Sequence, residues 1–156
     1  GIINDLKNVG VEMKIGNVKP DKLFASYSQG GVAATGAYDM VGYTTGISPL
    51  DPDLTPFYAT SQIPSKANNG VGSNNGRYSN PEVDKLLEQQ ATEVDPEARQ
   101  TLLDQIQKIV YDDVPVIYMY DRLRIDAAGA NLKGYQADPT AGLWWNPEDW
   151  YLQEQQ

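Results

Sequence analysis

Apolar side chains recur every three or four positions between residues 83 and 94, which is the spacing of one face of an α-helix. The residues on this face are Val83, Leu86, Leu87, Ala91 and Val94. Pro81 suits the first turn of such a helix, and either Ser79 or Asn80 suits its N-cap. Ser79 also forms a capping-box pattern with Glu82. The pattern therefore predicts an amphipathic helix that begins near residue 80.

A second helix is predicted to follow directly, because Asp95 suits an N-cap and Pro96 suits the first helical position. The apolar side of this helix is predicted to contain Ala98, Leu102, Ile106, Ile109 and Val110. The two patterns together predict two short amphipathic helices that follow each other in the sequence.

Shorter patterns flank the two helices. Residues 2–9, with Gly10 as a C-terminal cap, and residues 21–28 have helical spacing. Alternating or β-rich composition predicts strands at 11–15, 38–43 and 116–120, with 123–127 as a hairpin partner of the last. Residues 44–79 are expected to form a long loop, and the Asn/Gly-rich tract at 68–76 is interpreted as a linker. This order of elements predicts an α/β or α+β fold with a mixed sheet.

Composition narrows the chemistry. The chain of 156 residues is about one domain long and contains no Cys and no His, so thiolate, Ser-His-Asp and Cys-His chemistry are excluded. The net charge of -9 and the scattered basic residues argue against nucleic acid as a partner. No apolar run reaches the roughly 20 residues that a membrane-spanning helix needs. We predict no metal and no cofactor.

Carboxylates and aromatic rings are the remaining candidates for a chemical role. Asp51 and Asp53 are interpreted as turn residues, although they could bind a cation. Glu148 and Asp149 are expected to lie in the first turn of a short helix. Trp150 is expected to pack between elements, whereas Trp144 and Trp145 are more open to a ligand role.

Several motifs resemble one family, the solute-binding proteins of peptide- and nickel-type ABC transporters. They occur in the order typical of that family and cover nearly the whole chain. The motifs are LKNVGV at 6–11, YDM at 38–40, YSNPEVDKLL at 78–87, DPEAR at 95–99, VPVIY at 114–118, KGY at 133–135 and the segment from Trp145 to Leu152.

The resemblance implies that residues 1–156 form a single lobe, the C-terminal part of a larger two-lobed binding protein. The implied fold is α/β, one lobe of a type II periplasmic-binding-protein-like fold with a mixed sheet flanked by helices. The implied function is non-catalytic capture of a solute and its delivery to the permease subunits of an ABC importer. The expected solute is a peptide, and an oligosaccharide is the alternative. The implied location is extracytoplasmic, with a lipid anchor on the complete protein. The N-terminal lobe of the same chain would complete the cleft.

The same resemblance implies a ligand loop after the YDM motif. In peptide binders this loop carries an Asp that pairs with the ligand's ammonium group, but here the matching position is Ser48 or Gly46, depending on how the motif is aligned. Backbone groups and hydroxyls would then contact the solute. The predicted ligand-binding residues are Phe24, Tyr27, Tyr43, Thr44, Thr45, Gly46, Ile47 and Ser48.

Three alternatives remain open. Tyr43 and Thr44 could simply end a buried strand. Glu148 or Asp149 beside the tryptophans could belong to a carbohydrate-active enzyme domain. A strand containing Tyr118 and Tyr120 could serve as an exposed edge for a protein partner, which burial of those side chains would contradict.

Overall fold

The structure is a computed structural model that describes residues 1–44, 53–120, 125–138 and 145–153. Its α-helices are α1 (Ile2–Asn8), α2 (Pro20–Leu23), α3 (Val32–Thr35), α4 (Thr55–Tyr58), α5 (Pro81–Thr92) and α6 (Pro96–Asp113). Single 3₁₀ turns occupy Tyr27–Gln29, Thr60–Gln62 and Pro147–Asp149. Two short strands, β1 (Leu132–Lys133) and β2 (Tyr151–Leu152), complete the described elements. Within these residues, no helix is both long and apolar enough to cross a membrane.

The predicted pair of consecutive helices is confirmed as α5 and α6, which pack against each other as a hairpin. The Asn80 side chain accepts a hydrogen bond from the Glu82 N–H at 3.0 Å and caps α5. Asp95 caps α6 in the same way, accepting from the Ala98 N–H at 2.8 Å. Ser79 is not the cap of α5. Its hydroxyl instead lies 2.9 Å from the Thr60 hydroxyl.

The hydrophobic core lies where the hairpin meets α4. Its buried members are Tyr58, Ala59, Val83, Leu86, Leu87, Leu103 and Ile106. The predicted apolar faces are therefore correct at their centres and wrong at Ala91, Val94 and Ala98, which are exposed. Helix α5 ends at Thr92, so Val94 lies in the link between the helices and cannot extend the face.

The predicted strands at 11–15, 38–43 and 116–120 do not form. Residues 125–127 form no strand either, and 121–124 lie outside the described residues. The sheet that the structure describes is one antiparallel pair, with Leu132 opposite Leu152 and Lys133 opposite Tyr151. A β-rich segment becomes a strand only when a partner satisfies its backbone groups, and the described residues supply none beside these segments. The expectation of a mixed sheet therefore remains a prediction about the protein's fold class.

The two N-terminal helix predictions differ in outcome. Helix α1 is confirmed and ends at Asn8, and Gly10 follows with a φ of 86°. The helix predicted at 21–28 is instead split into α2 and the 3₁₀ turn Tyr27–Gln29. Ser26 is the reason, because it forms a capping box with Gln29 and so begins a new turn.

The Asn/Gly-rich tract at 68–76 is held by side-chain hydrogen bonds, so its interpretation as a linker is wrong. Asn74 is fully buried and donates to the carbonyls of Ala59 (3.0 Å) and Tyr78 (2.8 Å). Asn68 accepts from the Ser65 N–H at 2.9 Å and donates to the Ile63 carbonyl at 2.8 Å. These bonds take the place of a regular ladder and fold the loop against the core.

Candidate ligand-binding site

Two of the predicted ligand-binding residues, Phe24 and Tyr43, form an exposed aromatic pair. Their ring centroids lie 5.5 Å apart with an interplanar angle of 87°, which is an edge-to-face contact. Phe24 is 54% exposed and Tyr43 is 43% exposed. The alternative that Tyr43 and Thr44 end a buried strand is wrong, because both residues are exposed and no strand forms there.

Phe24 owes its position to the end of α2. It directly follows Leu23, and its N–H closes the helix by donating to the Pro20 carbonyl at 2.9 Å. The next turn begins at once, and the backbone of Gly31 lies so close to Ala25 that a Cβ at Gly31 would fall 1.8 Å from the Ala25 carbonyl oxygen. A glycine is therefore required for the fold-back that leaves Phe24 on the surface.

Tyr27 packs against the backbone of Gly70. A Cβ at Gly70 would approach the Tyr27 Cβ to 2.2 Å, so Tyr27 packs directly on the backbone of the loop that contains Asn68 and Asn74. Tyr27 is partly buried and joins two segments of the chain. Thr44 is exposed and interacts with another group of the protein. Thr45, Gly46, Ile47 and Ser48 lie outside the described residues.

Tyr38 and Arg77 are two further residues of this region, and no sequence pattern singled them out. The Tyr38 hydroxyl donates to the Asn75 carbonyl and so ties the segment before Tyr43 to the asparagine-rich loop. Burial raises the pKa of the Tyr38 phenol, Tyr43 raises it further, and the positive charge of Arg77 opposes the shift. Tyr43 and Arg77 thus both lie close enough to Tyr38 to shift the pKa of its phenol. We refer to Phe24, Tyr38 and Tyr43 as the aromatic patch.

The C-terminal tryptophans were the basis of the enzyme alternative. Asn146 is almost fully buried, accepts from the Trp150 indole N–H at 3.0 Å and donates to the Gly134 carbonyl at 2.9 Å. Trp150 also contacts Tyr135 edge to face, with the ring centroids 5.5 Å apart. The expectation that Trp150 packs between elements is confirmed, as is the placement of Glu148 and Asp149 in a short helical turn after Pro147.

These contacts give Asp149 a structural role. Its carboxylate accepts from the Asn146 amide at 3.4 Å. Trp145 is 40% exposed and donates to the Gln136 carbonyl at 2.8 Å, while Trp144 and Asp51 lie outside the described residues. Within the part of the chain that the structure describes, no three acidic residues form a group that could hold a metal ion.

A run of apolar side chains after α6 is exposed. Its members are Val114, Val116, Ile117, Tyr118, Met119 and Tyr120. Tyr118 and Tyr120 are each 75% exposed. Burial of these two side chains would have contradicted a protein-binding role for the run, so that role stays open. One side chain fastens the run to the core, because the Tyr118 and Tyr58 hydroxyls lie 2.8 Å apart.

The chain has recognisable relatives at low identity. It is 27% identical over 135 residues to the glutathione-binding protein GsiB of Pectobacterium atrosepticum, an alignment that covers 86% of this chain and 25% of that protein. It is also 27% identical over 84 residues to an uncharacterized lipoprotein of Mycobacterium tuberculosis, covering 53% of this chain and 15% of that protein. The same match is found with an uncharacterized lipoprotein of Mycobacterium bovis.

The alignments span about a quarter or less of the length of these relatives. No protein-family profile matches the chain, and no solved structure matches it. The chain is therefore similar, at low identity, to a glutathione-binding protein and to lipoproteins.

Proposed function

We propose that this chain is the C-terminal lobe of an extracytoplasmic solute-binding protein that captures a peptide and delivers it to an ABC importer. The observation that carries the proposal is the alignment of 86% of the chain with a glutathione-binding protein. Glutathione is itself a tripeptide, which favours a peptide over an oligosaccharide. The lipoprotein relatives favour a lipid-anchored location for the complete protein.

The aromatic patch is the proposed contact surface for the solute. Solute sites are mostly apolar and aromatic with a few polar groups, and Phe24 and Tyr43 supply exposed rings with one hydroxyl. A second lobe would close over this patch by a hinge motion. One lobe encloses only one side of a ligand, so we expect the isolated chain to bind peptides with a Kd of about 1 mM or weaker.

The exposed run from Val114 to Tyr120 is consistent with a lobe that belongs to a larger protein. Monomeric proteins rarely leave so continuous an apolar segment in water. In the proposed protein another part of the polypeptide would cover this run and would supply the missing strand partners. The predicted mixed sheet of a type II periplasmic-binding-protein-like lobe would then form in the complete protein.

The test is a binding titration at millimolar concentrations with a peptide mixture and with oligosaccharides, followed by ligand-observed NMR. The variant Phe24→Ala/Tyr43→Ala should weaken peptide binding severalfold, because it removes both exposed rings. Tyr151→Ala is the matched control, since Tyr151 is a 61% exposed tyrosine on β2. Oligosaccharide binding in place of peptide binding would overturn the peptide class, and hydrolysis of a glycoside would overturn the non-catalytic role.

A second candidate function is a protein-interaction module, favoured by the exposure of Tyr118 and Tyr120. A stable complex with a protein partner, lost on Tyr120→Ser and unaffected by Phe24→Ala/Tyr43→Ala, would establish this role in place of solute capture.

A further inference from the structure

Arg77 is fixed in an unusual backbone and side-chain geometry beside the aromatic patch. Its φ of 57° lies in the left-handed region, which a residue with a Cβ adopts rarely and which occurs often at functional sites. Its side chain lies over Gly36, where an added Cβ would come within 2.6 Å of the Arg77 Cδ and 3.2 Å of its Nε. Gly36 thus provides the space in which the guanidinium lies.

Among the described residues, the hydrogen bonds of the Arg77 guanidinium use one of its three nitrogen atoms. Nη1 donates to the carbonyls of Ala34 at 3.5 Å and Pro64 at 3.4 Å. Among the described residues, Nε and Nη2 have no hydrogen-bond acceptor, and no carboxylate lies within ion-pair distance of the guanidinium. The Nε–Nη2 edge is one that a carboxylate can bind with two parallel hydrogen bonds.

The unpaired Nε–Nη2 edge is unexpected in a chain that contains more acidic than basic residues. Acidic residues outnumber basic residues by 21 to 12, yet none of the described carboxylates pairs with this exposed guanidinium. Holding a cation in position without an acidic partner leaves its field available to an anion from solution. The position is also tied to the patch, because the Tyr38 hydroxyl donates to the carbonyl of Asn75, two residues before Arg77. The Arg77 charge accordingly acts to lower the pKa of the Tyr38 phenol, which burial raises.

We infer that Arg77 is a binding residue whose Nε–Nη2 edge accepts a carboxylate of the solute, while Gly36, Ala34 and Pro64 hold the guanidinium in place. The ligand class is an organic acid with an apolar or aromatic portion, such as a peptide with a free C-terminus. Its apolar portion would contact Phe24 and Tyr43, and its carboxylate would reach Arg77. This inference rests on the proposed function and adds the charge that the solute carries.

The experiment compares two probes that differ only in that charge, N-acetyl-phenylalanine and its C-terminal amide. Each is titrated into the ¹⁵N-labelled chain, and Kd is measured from backbone amide shifts together with the Nε–Hε signal of Arg77. The acid can form charge-assisted hydrogen bonds with the guanidinium that the amide cannot, so the acid should bind roughly tenfold or more tightly than the amide. The Arg77 Nε–Hε signal should move with the acid and with sodium acetate, and stay unmoved with the amide.

Three variants separate binding from structural support. Arg77→Gln should bring the ratio of the two affinities close to one. Arg77→Lys keeps the charge without the bidentate edge and should recover part of the preference for the acid. Lys66→Gln removes an exposed charge elsewhere and should leave the preference intact. Thermal unfolding of each variant shows whether the substitution has also destabilised the fold through loss of the Arg77 contacts to the Ala34 and Pro64 carbonyls.

Each outcome decides the inference. An acid-to-amide ratio that Arg77→Gln leaves unchanged would mean that Arg77 only supports the loop, and the inference would fall while solute binding at the patch stands. Equal affinity for the two probes in the unsubstituted chain would overturn it in the same way. An Arg77 signal that responds to acetate, in a chain that binds neither probe at the aromatic patch, would support the anion site and overturn the proposed function instead.

Discussion

The Asn74 side chain makes three hydrogen bonds to backbone groups. Its amide donates to two carbonyls, and its Oδ1 accepts from the Tyr78 N–H at 3.1 Å. The composition of 68–76 predicts a loop but not this role, because an asparagine on a surface turn and one that closes a loop look alike in sequence. The difference lies in which carbonyls the folded chain brings within reach.

We predict that Asn74→Ala lowers the free energy of unfolding by about 2–3 kcal/mol, since it leaves buried backbone groups without partners. Urea denaturation followed by fluorescence measures the change. Asn75→Ala is the control, because the Asn75 contact to Tyr38 is made by its backbone carbonyl and survives the substitution. Equal losses for the two variants would contradict the assigned role of Asn74.

Asp113 links the two ends of the helical hairpin. Its carboxylate accepts from the Tyr78 hydroxyl at 2.5 Å and from the Asn80 amide at 3.0 Å. These two bonds, that from Tyr78 first, lower the pKa of Asp113 below its ordinary value of 3.8. The lowered pKa means that the folded state favours the ionised form, so the stabilisation is present above the ordinary pKa and is lost as the pH falls through the folded pKa.

We therefore expect the native chain to lose stability on acidification below about pH 4 more steeply than Asp113→Asn does. Unfolding midpoints measured between neutral pH and about pH 3 test this difference. Asp112→Asn is the control for loss of one charge, because the partner of Asp112 among the described residues is the exposed Lys108 on the same helix. A pH profile for Asp113→Asn that parallels that of the unsubstituted chain would exclude the linkage.

Helix pairing was the most predictable level of this structure. The start signals at Asn80 and Asp95 act through bonds within a single turn, so the sequence contains everything needed to place them. Which face each helix buries depends on packing against distant segments, and the sequence predicts it less well. Leu103 is buried and Leu102 only partly so, although the spacing in the sequence favoured Leu102.

We predict that Leu103→Ala lowers the free energy of unfolding by about 2–4 kcal/mol, because it opens a cavity between α5 and α6. Val94→Ala should change it by less than about 0.5 kcal/mol, since Val94 is 93% exposed. Chemical denaturation of both variants measures the contrast. A small effect at Leu103 with a large one at Val94 would mean that the helices pack on the faces that the sequence spacing indicates.

At the scale of the whole molecule, the largest difference between sequence and structure is the run from Val114 to Tyr120. Its composition is that of a strand, yet the described residues place no strand beside it. The run is fastened to the core mainly through the Tyr118 hydroxyl, and the side chains around Tyr118 face water. Strand formation is a property of pairs of segments, so one segment alone cannot decide it.

We predict that Ile117→Ser/Met119→Ser lowers the binding of an apolar dye and the self-association of the chain at high concentration. The unfolding midpoint should stay within the error of the measurement, because these side chains are 65% and 63% exposed. Dye fluorescence, light scattering and thermal unfolding test the three parts. A clear fall in the midpoint would show that the run is packed in solution.

The sequence by itself determined the features that depend on neighbours within a few residues. These are the helix starts at Asn80 and Asp95, the turn after Asn146 and the absence of thiol and imidazole chemistry. Tertiary structure alone decided that Phe24 meets Tyr43, that Asn74 closes its loop and that Arg77 lies over Gly36 with no acidic partner among the described residues. Those contacts join segments up to about 40 residues apart, and no local pattern encodes which distant carbonyl, ring or glycine the folded chain will bring close.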